Sequence, residues 1–355
     1  MKKLNRQTHR PLILFFLIVY AHSMQAQIGG IADFEFLHLP VSAKQSALGG
    51  TNVSAAGKEV SMFMANPALL RDSTDRHLAL SFYNYYADIQ NYNLAYTHHF
   101  KKTGTWGFGI QYLNYGEFEG YDAFENATGV FQAKDYALTL SHAHQLSVFS
   151  LGLNAKFVHS NIETYNATGL LFDIGGAFIH PDKDLVIGLT FKNLGFAFQS
   201  YTPQHSFRMP FDVQAGITYK PERMPMRLSV TIHHLHQFDI AYQDPSQRAR
   251  LDALGNPIEE EISFADKLAR HFIIGGEFVL SKNFQLRAAY NFLRRRELRL
   301  EQRSGLAGIS LGVMLRVKRL EFAYARETHH LAGGVNNFTL TLNTKGLIKK
   351  KKVIE

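Results

Sequence analysis

Residues 284–292 read Phe-Gln-Leu-Arg-Ala-Ala-Tyr-Asn-Phe. Phe284, Leu286, Ala288, Tyr290 and Phe292 fall on one side of a period of two, with Gln285, Arg287 and Asn291 on the other. That period belongs to a β-strand with two unlike faces. The alternation returns along the chain. Leu151, Leu153, Ala155 and Phe157 oppose Gly152, Asn154 and Lys156, and Leu185, Ile187, Leu189 and Phe191 oppose Gly188, Thr190 and Lys192. Ile309, Leu311, Val313 and Leu315 oppose Ser310, Gly312 and Arg316, and Leu320, Phe322 and Tyr324 oppose Glu321, Ala323 and Ala325. A soluble sandwich alternates too. Here the apolar face is dense in Leu, Ile, Phe and Tyr while the other carries Lys, Arg, Gln and Asn, which is the lipid-out, polar-in pattern of a transmembrane barrel.

About fourteen strands are expected, at 78–86, 90–99, 105–114, 133–144, 148–160, 168–179, 184–193, 211–220, 226–236, 270–280, 283–292, 307–316, 319–326 and 335–343. The even count suits a closed antiparallel bacterial barrel, and the lengths suit tilted spans. The connectors sort into two classes. Lys101–Gly104, Pro181–Lys183, Pro221–Pro225, Ser281-Lys282 and Val317-Lys318 are short. Tyr115–Gln132, Leu194–Pro210, Gln237–Ala269, Leu293–Leu306 and Glu327–Gly334 are longer, and only the first outer hairpin, Ala87–Ile89, breaks the pattern. Short periplasmic turns and long outer loops are the habit of outer-membrane barrels and place both chain ends in the periplasm. A sandwich has no reason to sort its loops this way.

Composition agrees. The 355 residues include 28 Phe and 16 Tyr but 1 Trp, and 46% of the chain is hydrophobic. The mean hydropathy of -0.15 is too low for a bundle of membrane helices. The absence of cysteine excludes disulfides, thiol nucleophiles and thiolate metal sites. A net charge of +8 raises nucleic acid as a partner, but no basic helix or aromatic–basic platform supports it. Much of the charge sits in Lys2, Lys3, Arg6 and Arg10 and in Lys349–Lys352. Basic residues 1–10, apolar Pro11–Ala21 and the small Ala26 read as a signal peptide over 1–26. The expected plan is then a plug or hatch over 27–77, the barrel over 78–343 and a basic periplasmic tail over 344–355.

Ala43–Leu70 fits none of the strand pattern. It is rich in small residues, with Gly49-Gly50 and Gly57, and it closes on Asn66-Pro67. Adjacent glycines permit close chain approach, and Pro67 makes Asn66 a turn or helix start. Gly49, Gly50, Asn66 and Pro67 are therefore candidate plug residues.

Signals for chemistry are weak. His98-His99, His142 with His144, His233-His234 with His236, and His329-His330 lie mostly near strand ends, where an amphipathic ring suits the interface better than a metal. Ser141-His142 and Ser229 near His233 lack the spacing of a nucleophile elbow or triad. No enzyme activity, cofactor or metal is expected. Arg294, Arg295, Arg296 and Arg299, interleaved with Glu297 and Glu301, read as a solvated outer loop or as a contact for lipopolysaccharide phosphates or an acidic partner.

Ala47-Leu48-Gly49-Gly50 followed by Asn66-Pro67-Ala68-Leu69 resembles the N-terminal signature of FadL-like outer-membrane barrels. Phe36–Lys44 (FLHLPVSAK), Leu113–Phe118 (LNYGEF), Gly129–Ala137 (GVFQAKDYA) and Lys192–Gly195 (KNLG), in that order, resemble the PorV/PorQ branch of Bacteroidetes, and the PorQ type in particular. The resemblance spans nearly the whole mature chain. It implies a fourteen-stranded barrel with an N-terminal hatch in the cell outer membrane. It also implies a non-enzymatic scaffold of the type IX secretion system. In that role it would hold a PorZ-like surface partner near PorU and PorV-like components in the cargo-attachment complex. The wider family implies the alternative, a channel for hydrophobic small molecules. The chain departs from many such barrels in following its last strand with a basic tail rather than ending on an aromatic residue.

Overall fold

The computed structural model describes residues 32–242, 250–251, 257–258, 262–298, 305–330 and 333–345. The leader at 1–26 and the tail beyond Lys345 lie outside them, as do Arg299 and residues 243–249, 252–256 and 259–261 of the long loop before Ala269.

A segment of short helices comes first: a 3₁₀ turn Glu35–His38, helix α1 (Ala43–Ala47), and 3₁₀ turns Val60–Met64, Pro67–Leu69 and Asp72–Thr74. The strands follow: β1 (His77–Asn84), β2 (Gln90–Phe100), β3 (Gly104–Tyr121), β4 (Ala127–Leu146), β5 (Phe149–Ile162), β6 (Tyr165–Ile179), β7 (Asp184–Gln199), β8 (Asp212–Lys220) and β9 (Met226–Ile232). An outer connection holds a two-residue ladder of β10 (Arg250–Leu251) with β11 (Pro257–Ile258), and then helix α2 (Phe264–Arg270). The chain finishes with β12 (Phe272–Val279), β13 (Phe284–Asn291), helix α3 (Phe292–Glu297), β14 (Ile309–Val317), β15 (Leu320–His330) and β16 (Gly333–Asn343).

All strands except β10 and β11 form one closed antiparallel barrel of fourteen, each next to its sequence neighbour, with β9 beside β12. The seam is β1 against β16, in register from His77↔Asn343 to Asn84↔Asn336. Closure leaves no edge of unpaired backbone at membrane depth. The period-2 faces fall as the sequence demands. Leu80, Leu140, Leu153, Ile187, Leu228, Leu286, Leu315 and Leu340 stand exposed on the outer wall, while Ser81, Asn154, Lys156, Thr190, Arg287 and Thr339 are buried inside. Stacked Tyr92–Tyr112 and Tyr112–Tyr136, 6.0 and 4.9 Å between ring centres, run along the outer wall like the aromatic girdle of a bilayer boundary.

The expected strand count and alternation hold, but the outer connections differ from the sequence reading. Tyr115–Gln132, expected as a loop, is largely strand: β3 is 18 residues long and β4 is 20. β7 continues to Gln199 into the expected Leu194–Pro210 loop, and only Glu163 and Thr164 separate β5 from β6. Phe118, Phe131, Phe196 and Phe198 let these stretches go on pairing as strands beyond the apolar belt. Conversely, strand 226–236 stops at Ile232, where His234 takes a positive φ of 54° and turns the chain away. One side of the barrel, β3 to β7, therefore rises above the other.

Small residues on the inner wall let the N-terminal segment pack inside the barrel. A Cβ on Gly152 would lie 2.3 Å from the Pro67 carbonyl carbon, and one on Gly188 would lie 2.1 Å from the Val53 carbonyl oxygen. Gly152→Val is expected to cost about 1–3 kcal/mol through overpacking and to expose residues 32–76 to protease while strands remain folded. Limited proteolysis of vesicle-embedded protein checks this.

Candidate functional site: the barrel lumen and its outer rim

The N-terminal segment is fixed along the lumen by contacts that change character with depth. Ala43 and Ala47 of α1 pack on Met314, Ala323 and Ala325. Val41, Val60, Phe63, Met64 and Leu70 pack with Ala79, Ala95 and Ala143. Leu48, Met62 and Leu69 pack with Ala177 and Val186. Wall alanines recur because a larger side chain there would fill the space the segment occupies.

Hydrogen bonds set its position between these clusters. The Ala43 amide donates to Thr339 Oγ1 at 2.8 Å, and Asn337 Nδ2 donates to Ser46 Oγ at 2.9 Å. Asn291 Nδ2 donates to the Gly49 carbonyl at 3.0 Å, and the Ser54 and Thr218 hydroxyls are 2.8 Å apart. Asn66 does two things. Its Oδ1 accepts from the Ala68 amide at 3.0 Å, capping the turn that Pro67 begins, while its Nδ2 donates to the Val53 carbonyl at 2.8 Å. Gly49 and Gly50 both hold positive φ, 92° and 90°. A Cβ on Gly49 would meet Ile273, and one on Gly50 would overlap the Arg294 guanidinium.

Three buried charge networks line the wall around this segment. Lys156 Nζ sits 2.7 Å from Asp173 Oδ2, and Asp173 also accepts from Asn154 Nδ2 at 2.9 Å. Asn154 Nδ2 donates as well to the Phe63 carbonyl at 3.1 Å, tying that network to the segment. Glu277 joins Arg287 at 2.9 Å and Arg227 at 3.2 Å. Arg294 pairs with Glu327, whose other neighbour is His329 Nε2 at 3.1 Å. Burial of such charges is tolerable only because each has a partner.

The arginine cluster thus divides. Arg294, on α3, turns into the barrel and meets Glu327 beside Gly50. Arg295 donates to the Gly305 carbonyl. Arg296 Nε lies 2.6 Å from Asp266 on α2. The sequence suggested neither the Arg294–Gly50 contact nor the roles of Asp173, Glu277 and Glu327. An inward-facing acid at Asp173, amid the apolar residues of its strand, was the one available signal.

The histidines also divide. His233, His234, His236 and His271 gather at the outer rim with His38. His233 and His234 bring Nδ1 atoms within 2.5 Å, and His271 Nδ1 donates to the His233 carbonyl at 2.7 Å. Burial, then the neighbouring His234, push the His233 pKa down to about 3, so the ring is neutral. Among the described residues no group of three or more His, Asp or Glu is arranged to hold a metal ion.

At the start of the segment the lumen turns apolar. Phe34, Phe36 and Leu37 pack against Leu113, Ala137, Val158, Ala167 and Leu171, with Leu39, Ile89, Tyr115, Tyr201, Phe207 and Met209 half-buried around them. Phe34 stacks on Phe207 with ring centres 5.5 Å apart, and Phe207 on Tyr201 at 5.9 Å. These side chains form a packed apolar core between the start of the N-terminal segment and the inner wall of β3 to β6.

No protein-family model and no curated protein sequence matches the chain. Solved structures do. A monoaromatic hydrocarbon channel, the TodX deltaS2S3 mutant, superposes with a TM-score of 0.51 at 12% identity, over 86% of this chain and 99% of that one. A Pseudomonas aeruginosa FadL homologue superposes at 0.47 and 11% identity, over 86% of this chain and 98% of that one. The closed fourteen-stranded barrel shares its fold with the first of these. With its lipid-facing belt, that fold places the chain in the outer membrane.

Breaking one half of the Arg294–Glu327 pair leaves a buried charge alone. Arg294→Met or Glu327→Gln is expected to cost about 3–5 kcal/mol, and the joint replacement by Met distinctly less than the sum. Urea unfolding in lipid vesicles, read by the single tryptophan Trp106, measures the cycle.

Proposed function

We propose that a hydrophobic small molecule is taken up at the apolar outer end of the lumen and that the luminal segment closes the pore below it to water-soluble solutes. The observation that carries this reading is the apolar cluster around Phe34–Leu37, with Tyr201, Phe207 and Met209 at its half-buried margin. Small-molecule sites are lined mostly by apolar and aromatic side chains, with a few polar groups at the edge. Tyr115, whose hydroxyl donates to Asp135 Oδ2 at 2.6 Å, supplies such an edge. The shared fold with a protein described as a monoaromatic hydrocarbon channel supports it too. The test is binding of toluene to the purified protein in nanodiscs. Saturable binding that weakens at least tenfold in Phe207→Asp is the expected result. Absent binding, or binding unchanged by that substitution, overturns the reading.

The ordered sequence motifs support a second reading. In it the barrel is a type IX secretion scaffold. It holds a PorZ-like surface protein near PorU and PorV-like components, with the closed lumen serving only to seal the membrane. The raised side formed by β3 to β7 offers a protein-sized surface for this. It predicts that affinity purification in mild detergent recovers secretion components, and that deletion leaves cargo uncleaved or shed. Recovery of none of them rejects it. Lipopolysaccharide contact through Arg295 and Arg296 belongs to this reading. It is tested by whether the double alanine variant co-purifies with less lipopolysaccharide.

A further inference from the structure

Beyond the point where β2 ends, β3 and β4 continue as a two-stranded ribbon. β2 reaches only to the Gln90↔Asn114 pair, and β5 only to Ala133↔Ile162. From Tyr115 to Tyr121 and from Ala127 to Phe131, β3 and β4 pair only with each other. Among the described residues, Glu163 donating to the Gln132 carbonyl at 3.1 Å is the last backbone bond between this ribbon and the rest of the wall. Both edges above it are unpaired. An unpaired edge is a template for another strand, and a two-stranded ribbon alone in water is marginally stable. Native edges are often blunted by lysine, proline or a β-bulge. Tyr115–Ala133 contains no lysine, proline or arginine, and its register shifts fall at the two ends of Glu117–Gly120.

The ribbon's two faces differ. Glu117, Glu119 and Tyr121 share one, where Gln132 Nε2 donates to Glu117 at 3.0 Å and the Tyr121 hydroxyl to Glu119 at 2.6 Å. Phe118 and Phe131 stack on the other, with ring centres 5.3 Å apart. The turn adds Asp122, Glu125 and Phe124, the last 85% exposed. Phe118, Tyr121 and Val130 are exposed as well. The ribbon therefore carries four acids, no base and a row of uncovered aromatics.

We propose that the Tyr115–Tyr121 edge captures an extended segment of a partner protein as an added β-strand, one that alternates Lys or Arg with apolar residues. Main-chain bonds would supply affinity and alternate side chains specificity. In an added strand, basic residues two apart stand opposite Glu117 and Glu119, where opposite charges across strands are favourable. The intervening apolar residues fall on the Phe118 side. The free edge shifts register at Asn114/Glu117 and at Gly120/Tyr121, so its regular stretch is Glu117–Gly120, about 13 Å at ~3.3 Å per residue, which presents both glutamates to a partner strand. This proposal is independent of the small-molecule reading: of the residues named there only Tyr115 lies on this edge, and the test turns on Glu117 and Glu119.

The test uses the full-length protein in nanodiscs and two fluorescent nine-residue peptides, one alternating Lys with Val and one alternating Glu with Val. The Lys–Val peptide is expected to bind saturably by anisotropy, at least tenfold more tightly than the Glu–Val peptide. The preference should reverse in the Glu117→Lys/Glu119→Lys variant. Hydrogen exchange should slow at amides 115–121 when the peptide is bound. The ribbon stands clear of the barrel wall, so heat-induced mobility shifts on gels should match wild type and confirm that the variant folds. Absent binding, equal binding of both peptides, an unchanged preference in the variant, or protection elsewhere than β3 overturns the proposal.

Discussion

The closure of β1 on β16 is the constraint from which the rest follows. A backbone amide facing hydrocarbon has no water to bond, so strands crossing a bilayer must all be paired, and the first must find the last. Fourteen strands pay that debt but enclose a lumen wider than wall side chains alone can fill. The chain fills it with its own N-terminal segment. Gly152 and Gly188 on the wall and Gly50 on the segment are glycine because backbone meets backbone or a guanidinium there, and Gly49 because the Ile273 side chain stands where its Cβ would be.

Filling the lumen this way brings a second constraint. An inner wall that is polar when built as a barrel becomes partly dry when occupied, and its charges must then be matched. Lys156 with Asp173, Arg287 and Arg227 with Glu277, and Arg294 with Glu327 are the result. These pairs contribute more to fixing one arrangement of the segment than to net stability, since apolar replacements of a whole buried pair are often no worse. Arg294 is the clearest case: it leaves an outer helix, enters the barrel and covers Gly50. The outer connections and the luminal segment are therefore mechanically joined through one side chain.

The sequence showed the strands because lipid and lumen impose opposite demands on successive residues, as in Phe284–Phe292. It also showed that Ala43–Leu70 stood apart, and Asn66-Pro67 starts a helical turn there as its residues suggest. It did not show where strands end above the membrane. Once a strand leaves the lipid, the period weakens, and Tyr115–Gln132, with its glycines and acids, resembles a loop although it continues to pair. Nor did it show which charges meet, because Arg294 and Glu327 lie far apart in the chain and meet only through the pairing of β13 and β15 with β14. The histidines at the rim were visible as residues, but their mutual burial depends on His38, which is carried in by the luminal segment.

The N-terminal segment lies inside the closed barrel in one register. The chain has no cysteine, so a cross-link can be read without background. Ser54→Cys with Thr218→Cys joins positions whose hydroxyls are 2.8 Å apart, on the segment and on β8. Ser54→Cys with Ser141→Cys, on the far β4 wall, is the control. Oxidation of intact outer membranes should give a loop-closed species of altered gel mobility for the first pair and none for the second. Absence of cross-linking in the first pair, or equal cross-linking in both, would contradict a segment held in place within the lumen.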